Sequence, residues 1–291
     1  MPIFEYICPE NRHLPQISAT MHKKERKVMA QKKKVTAVVH EQTEIAEHIF
    51  DMWIETDLAA DAKAGQFISV YPKNASTLLP RPISICEADK EQNRLRIVYR
   101  IAGQGTTEFS GYHAGNQIAI LGTLGNGFPV EEGAGKKVFL MGGGIGIPPM
   151  LQLAKELAAT GNGTQVQIIV GYRDRNLFLK EELEKYGTVY VATEDGSVGT
   201  KGNVMDAIAA NGLSADVIMA CGPMPMLRAI KNYAAEKQIP AYISLEERMA
   251  CGVGACLGCV CKTTKKDHHS HVNNARICTD GPVFLAEDVD I

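Results

Sequence analysis

The sequence predicts an α+β multidomain chain: an N-terminal antiparallel β-barrel, an α/β parallel-sheet domain and a small C-terminal cysteine-rich segment. Three observations predict it. Residues 34–121 hold short β-branched runs separated by turn residues, with one short helix among them. Residues 137–237 alternate strand and helix, the pattern of a parallel sheet flanked by helices. Four of the eight cysteines then crowd into the eleven residues from Cys251 to Cys261. The expected boundaries are an extension at 1–30, the barrel at 31–132, the sheet domain at 133–240 and the cysteine segment at 241–291.

At 291 residues the chain exceeds the ~150-residue single-domain prior. Its 45% hydrophobic content suffices for a full core. The net charge of −2 gives no general attraction to nucleic acid or to an anionic membrane. No apolar run approaches the ~20 residues that span a bilayer. Free thiols together with a candidate metal cluster favour a reducing cytoplasm. The first stretch differs from the rest. Residues 1–16 have no clear period, His22 to Lys27 is a charged run, and no apolar core of a secretory signal is present. Residues 1–28 therefore read as an extension, and Cys8 and His13 lack partners for a metal site.

The barrel strands are expected at Lys34–His40, Ile45–Glu55, Gly65–Tyr71, Arg81–Cys86, Leu95–Arg100 and Gln117–Leu121. Two polar features interrupt them. Arg81-Pro82-Ile83-Ser84 sets a guanidinium beside a rigid proline and a hydroxyl. Gly103-Gln104-Gly105-Thr106-Thr107 opens the short helix. Together they can clamp a dinucleotide pyrophosphate, through a bidentate arginine and exposed helix-start amides. Taken singly, the Arg-Pro reads rather as a strand-edge break and the Gly-x-Gly-Thr as a plain turn.

In the second domain, Lys137–Met141 ends at Gly142-Gly143-Gly144-Ile145-Gly146, and Pro148 suits the first turn of a helix running to Ala159. Strands follow at Gln165–Gly171, Thr188–Ala192 and Asp216–Cys221, with helices at Leu177–Tyr186, Asn203–Asn211 and Pro223–Lys237. The triple glycine lets backbone approach a pyrophosphate, although it is not the strict G-x-G-x-x-G fingerprint and also fits a tight βα turn. Tyr172 and Arg173 can reach an adenosine ribose, with Asp195 a weaker candidate. No paired basic cluster for a 2′-phosphate is evident, which favours NAD(H) over NADP(H), while Arg173 and Arg175 keep NADP(H) open.

The cysteines are spaced C-x4-C-x2-C, with Cys278 further on: the plant-type [2Fe-2S] pattern. Gly252, Gly254 and Gly258 give the loop its freedom to turn closely around a cluster. The expected ligands are Cys251, Cys256, Cys259 and Cys278. Cys261 breaks the spacing and ranks as a non-ligand, although in a strand it shares a face with Cys259. Zinc is the rival, with Cys256-x2-Cys259 as half of a site whose second pair is missing. His268, His269 and His271 read as a solvated insertion in a lysine-rich loop rather than as ligands.

Arg81-Pro-Ile-Ser84, Gly105-Thr106 and the glycine-rich strand–helix turn resemble the ferredoxin–NADP reductase superfamily. The resemblance implies FAD held by Arg81, Pro82, Ile83 and Ser84, by Val98, Tyr99 and Arg100, and by Gly105, Thr106 and Thr107. It places nicotinamide near Cys221-Gly222-Pro223, with Gly142, Gly143, Gly144 and Gly146 on the nucleotide. Where plant-type reductases often carry an aromatic residue, this chain has Ile83, which leaves Tyr99 as the candidate for stacking on the flavin. No residue is assigned as a catalytic acid, base or nucleophile.

The order of barrel, nucleotide domain and C-terminal cysteine loop, with Glu194 to Gly202 and Cys278-Thr-Asp-Gly-Pro-Val-Phe284, is similar to the electron-transfer subunits of NAD-dependent, B-type dihydroorotate dehydrogenases. The resemblance runs from about Lys34 to Phe284. It implies a partner: an FMN-containing catalytic subunit in a heterotetramer with two copies of each chain. Electrons would pass through [2Fe-2S] and FAD to NAD+ in de novo pyrimidine (UMP) biosynthesis. No separate dihydroorotate-binding constellation is evident. A related layout is the small FAD/[2Fe-2S] subunit of a bifurcating NADH-dependent ferredoxin–NADP reductase or sulfide dehydrogenase. That group tends to carry Asp at the first ligand position, where this chain has Cys251. A third reading is a cluster-bearing scaffold or redox-sensing module without enzymatic activity.

Overall fold

The computed structural model describes residues 32–161, 163–266 and 271–291. The extension expected at the N-terminus, with Cys8 and His13, and residues 267–270 of the histidine tract lie outside the described residues.

Six strands close an antiparallel barrel: β1 (Lys33–Ala46), β2 (Ile49–Glu55), β3 (Phe67–Tyr71), β4 (Arg81–Asp89), β5 (Arg94–Arg100) and β6 (Gln117–Leu124). Their order around the barrel is β1-β2-β5-β4-β3-β6. A two-residue turn at Glu47-His48 separates β1 from β2, with His48 at φ 61. One short helix, α1 (Gln104–Ser110), follows β5. Ile68, Val70, Ile83, Ile85, Ile97, Tyr99, Ile118 and Ile120 fill the barrel interior with Phe109 of α1. Strand alternation then turns Phe67, Ser69, Pro82 and Ser84 to the outer face. There Phe67, Leu121 and Leu124 join the core of the C-terminal half of the chain.

A seven-stranded sheet forms the second layer, in the order β10-β9-β8-β7-β11-β12-β15. Its parallel strands are β7 (Lys137–Gly143), β8 (Gln165–Tyr172), β9 (Thr188–Thr193), β10 (Thr200–Lys201), β11 (Val217–Cys221) and β12 (Ala241–Ser244). The strands β7, β8 and β11 are almost continuously apolar because they are covered on both faces. Helices α2 (Pro148–Ala159), α4 (Val204–Ala210) and α5 (Met224–Lys237) pack against them. The helix expected at Leu177–Tyr186 contracts to α3 (Lys180–Leu183). Leu179 just before it adopts φ 64, which breaks the helical path.

Strand β12 lies beyond the boundary expected at residue 240, yet it extends the nucleotide sheet. Strand β15 (Val283–Leu285) then pairs antiparallel with it. The cysteine segment is therefore an excursion from the sheet edge that leaves after β12 and returns at β15. Its own structure is a short hairpin, β13 (Val260–Lys262) with β14 (Asn274–Arg276). Asn126, just past β6, holds the segment to the barrel: its amide donates to Gly281 O at 2.7 Å, and its side chain donates to Thr279 O and Asp280 O. No helix of the described residues is long and apolar enough to cross a membrane.

Candidate functional site

At the barrel end, Arg81 and the start of α1 are in contact. A Cβ added to Gly105 would lie 2.8 Å from Arg81 Nε and 2.9 Å from Cζ, so only glycine lets the guanidinium rest on the helix start. Thr106 shapes that start, its hydroxyl accepting hydrogen bonds from the amides of Ala102 and Gly103 at 2.8 and 3.2 Å. Beside it lies an open surface groove lined by Lys73, Asn74, Gly103, Gln104, Thr107 and Tyr112. Glu108 closes its wall, accepting from the amides of Lys73 and Asn74 and from the Tyr112 hydroxyl. Although burial opposes it, these bonds hold the Glu108 carboxyl below its ordinary pKa. Sequence reasoning missed Lys73, Glu108 and Tyr112 because they are scattered over forty positions with no motif among them.

Tyr99 is a correction to the sequence reading. Its ring is buried inside the barrel, stacked on Phe50 at 5.9 Å, and its hydroxyl donates to Gln42. Strand alternation puts Tyr99 on the inner face, while Val98 and Arg100 point outward, so the ring cannot stack on a flavin lying outside. Ile83 is likewise an interior residue.

The two glycine-bearing turns of the nucleotide domain meet backbone to backbone. A Cβ on Gly146 would lie 2.4 Å from Cys221 O and 2.7 Å from Gly222 Cα. Gly144 adopts φ 53 at the turn, which then runs into Pro148 at the first position of α2. This places Gly142–Gly146 and Cys221–Pro223 at one carboxyl edge of the sheet. Cys221 is buried, stands opposite Ser244 on the neighbouring strand and lies within electrostatic reach of Glu246; burial above all raises its pKa. Glu246 is exposed as a residue, and partial desolvation of its carboxyl raises its pKa against the pull of Arg100. Ser244 and Glu246 also went unread in the sequence, since only the β11–β12 pairing brings them beside Cys221.

Tyr172 is a second correction. Its ring is buried against Phe178 and its hydroxyl donates to Phe178 O at 2.8 Å, so it braces the loop rather than facing a ribose. Arg173 and Asp195 do sit together and exposed, the Asp195 amide donating to Arg173 O.

In the cysteine loop, three amides aim at one sulfur. Val253, Ala255 and Cys256 donate to Cys251 Sγ at 3.4, 3.3 and 3.4 Å, and Gly258 donates to Cys256 Sγ at 3.4 Å. Left-handed backbone at Gly252 (φ 67) and Gly254 (φ 82) produces this curl. The four thiols fall into two neighbouring pairs: Cys256 is close enough to Cys251, and Cys259 to Cys278, to shift the neighbour's pKa. The hairpin makes the second pair, with Ile277 donating to Cys259 O at 2.9 Å. Partial burial opposes ionisation of Cys251, but the amides and the Cys256 thiol outweigh it and bring its pKa down to about 6. Burial, with Cys259 adjacent, pushes Cys278 up to about 11. Cys261 packs toward the core from β13 and joins neither pair.

This donor set fits a [2Fe-2S] cluster, whose four thiolates divide as two per iron, with amides available to the sulfurs. A further buried group faces the loop. Ser69 Oγ has no hydrogen-bond partner among the described residues and lies 3.2 Å from where a Cβ of Gly252 would stand.

Residues 246–290 match the iron-sulfur cluster binding domain of dihydroorotate dehydrogenase B, and residues 140–232 match the oxidoreductase NAD-binding domain. The electron transfer subunit of dihydroorotate dehydrogenase B (NAD(+)) from Listeria monocytogenes serotype 4a (strain HCC23) is 43% identical over 258 residues, covering 87% of this chain and 97% of that protein. The chain belongs to this family of electron transfer subunits. The Bacillus velezensis member is 41% identical over 261 residues, covering 88% of this chain and 99% of its own length. Among solved structures, an NADH-dependent reduced ferredoxin–NADP oxidoreductase studied for flavin-based electron bifurcation is 28% identical. It superposes with a TM-score of 0.78 over 89% of this chain and 91% of that one. A flavohemoglobin from Malassezia yamatoensis, 24% identical with a TM-score of 0.62, shares the fold over 74% of this chain and 61% of its own. The family membership makes the chain an oxidoreductase subunit and sets aside the non-enzymatic scaffold.

Proposed function

We propose that this chain takes electrons from FMN in a separate dihydroorotate-oxidising subunit and delivers them to NAD+, within a heterotetramer of two copies of each chain. FAD, when bound, exchanges single electrons with an iron–sulfur cluster and a hydride with nicotinamide, so it couples the two kinds of transfer.

The residues divide the work. Arg81, against Gly105, binds the FAD pyrophosphate with the amides of Gly105 to Thr107. Pro82, Ser84, Val98 and Arg100 line the outer barrel face beneath the flavin, with Ile83 and Tyr99 contributing backbone only. Gly142, Gly143, Gly144 and Gly146 bring main chain up to the dinucleotide phosphates. Cys221, Gly222 and Pro223 bound the nicotinamide side, and Arg173 with Asp195 faces the adenosine end. Cys251, Cys256, Cys259 and Cys278 would hold the [2Fe-2S] cluster, which supplies one-electron transfer.

One observation carries the reading. Gly252 of the cysteine loop packs on Ser69 and Leu124 of the barrel, and Ser69 is the direct strand partner of Pro82 in the Arg81–Ser84 motif. The cluster loop and the flavin-binding strand thus share one wall, as one-electron transfer between them requires. The order of identity, 43% to the dihydroorotate dehydrogenase subunit against 28% to the bifurcating reductase, together with Cys251 at the first ligand position, favours the former over the latter.

Purifying the chain alone and with its catalytic partner tests this. The isolated chain, loaded with flavin and iron, is expected to be bleached by NADH but not to reduce NAD+ with dihydroorotate. The complex is expected to do both. Dihydroorotate-dependent NAD+ reduction by the isolated chain would overturn the proposed division of labour.

A further inference from the structure

Ser69 is fully buried at the middle of β3, and its hydroxyl has no partner among the described residues. A buried hydroxyl left without a partner costs about 1–3 kcal/mol, so such a group ordinarily has one. The sheet supplies none. Directly opposite on β4 stands Pro82, and directly opposite on β6 stands Leu121, both apolar side chains. Phe67 and Tyr71 flank it on the same face. The remaining side of the hydroxyl faces Gly252, immediately after Cys251.

From this geometry we propose that Ser69 Oγ donates a hydrogen bond into the [2Fe-2S] cluster, to sulfur on the Cys251 side, and thereby raises the cluster's reduction potential. The proposal rests on reading the cysteine loop as the cluster site. Cys251 Sγ already receives three main-chain amides from its own loop. Ser69 adds a donor from a different domain, on the wall shared with the flavin motif. A donor to cluster sulfur stabilises the reduced, more negative form, and its removal makes the cluster harder to reduce. Because the donor comes from the barrel, docking of the loop on β3 sets the potential as well as the distance to the flavin.

The test is a potentiometric EPR titration of the full-chain holoprotein as wild type, Ser69→Ala and Ser69→Gly, alongside pulsed EPR of the reduced cluster in D2O. Both hydroxyl-free variants are expected to bind iron and FAD normally. Their cluster reduction equilibrium is expected to fall about tenfold, which is ~59 mV for a one-electron couple. One exchangeable-deuteron coupling is expected to disappear, while the flavin couple stays in place. Ser69→Thr, which keeps the hydroxyl, is expected to restore the wild-type potential. An unmoved cluster potential with every deuteron coupling retained would overturn the proposal, as would a shift confined to the flavin. Failure of both hydroxyl-free variants to load iron would assign Ser69 a structural role instead. Wild-type protein without iron would refute the underlying cluster reading, an outcome distinct from these.

Discussion

Arg96 on β5 of the barrel donates to Glu182 on α3 of the nucleotide domain through two bonds, Nη1 to Oε2 at 2.6 Å and Nη2 to Oε1 at 2.9 Å. The same guanidinium takes Asp51 at 2.7 Å and Glu87 at 3.4 Å, and Lys155 of α2 reaches Glu87 at 3.1 Å. One buried arginine on β5 thereby joins β2 and β4 to α3, and Glu87 passes the link on to α2 through Lys155.

Arg96→Ala is expected to strand Asp51 without a cation in a largely buried place, while Glu87 keeps Lys155. Removal of one partner from a buried ion pair costs about 3–5 kcal/mol. Urea unfolding followed by fluorescence of Trp53, whose ring lies 5.6 Å from the guanidinium, measures it. A loss below about 1 kcal/mol would show that water replaces the network.

The junction also predicts a pH dependence. The Arg96 bond holds the Glu182 carboxyl below its ordinary pKa, with burial opposing. A carboxylate with a depressed folded pKa stabilises the fold fully above its unfolded value, about 4.3, and loses that contribution as pH falls toward the folded value. The stability difference between wild type and Glu182→Gln should thus be constant from pH 7 to about 5 and shrink below about 4.3. A difference that widens on acidification would contradict this.

Gly105→Ala is expected to push the Arg81 guanidinium off the start of α1, because the new methyl would stand under 3 Å from it. FAD retention after gel filtration should drop at least tenfold, and Arg81→Ala should lose FAD similarly. Full FAD occupancy in Gly105→Ala would separate Arg81 from flavin binding.

Gly146→Ala is expected to disturb nucleotide use most among the turn glycines, because its methyl would collide with the backbone of Cys221 and Gly222. The clash should cost about 1–3 kcal/mol of stability and slow flavin bleaching by NADH in stopped flow. Gly144→Ala meets nothing within 4 Å and carries only the φ 53 backbone cost of about 1 kcal/mol.

Single Cys→Ser changes at Cys251, Cys256, Cys259 and Cys278 should each abolish the reduced-cluster EPR signal, lower bound iron and weaken assembly with the partner. Cys261→Ser should retain about two irons per chain. Loss of iron on changing Cys261 would revise the ligand set.

The sequence by itself determined the chemistry that sits in contiguous motifs. The C-x4-C-x2-C spacing, the glycine turn before Pro148 and the Arg81–Ser84 run each carry their own local geometry, since short-range backbone constraints act within a few residues. Strand alternation was readable in the same way, yet which face of β5 looks inward depends on barrel closure. For that reason Tyr99 read as a flavin stacker and lies in the core. Tyr172 followed the same pattern, claimed by Phe178 within its own loop.

Only the tertiary structure decided what meets across long separations. It brought β12 and β15 into one sheet edge, so the cysteine segment became an excursion from the nucleotide domain. It set Cys259 against Cys278 through a hairpin, Gly146 against Cys221, and Arg96 against Glu182. It also aimed the buried hydroxyl of Ser69, an unremarkable residue in a strand, at the loop of Cys251. These contacts are packing outcomes of closed sheets and docked domains, and no periodicity along the chain encodes them.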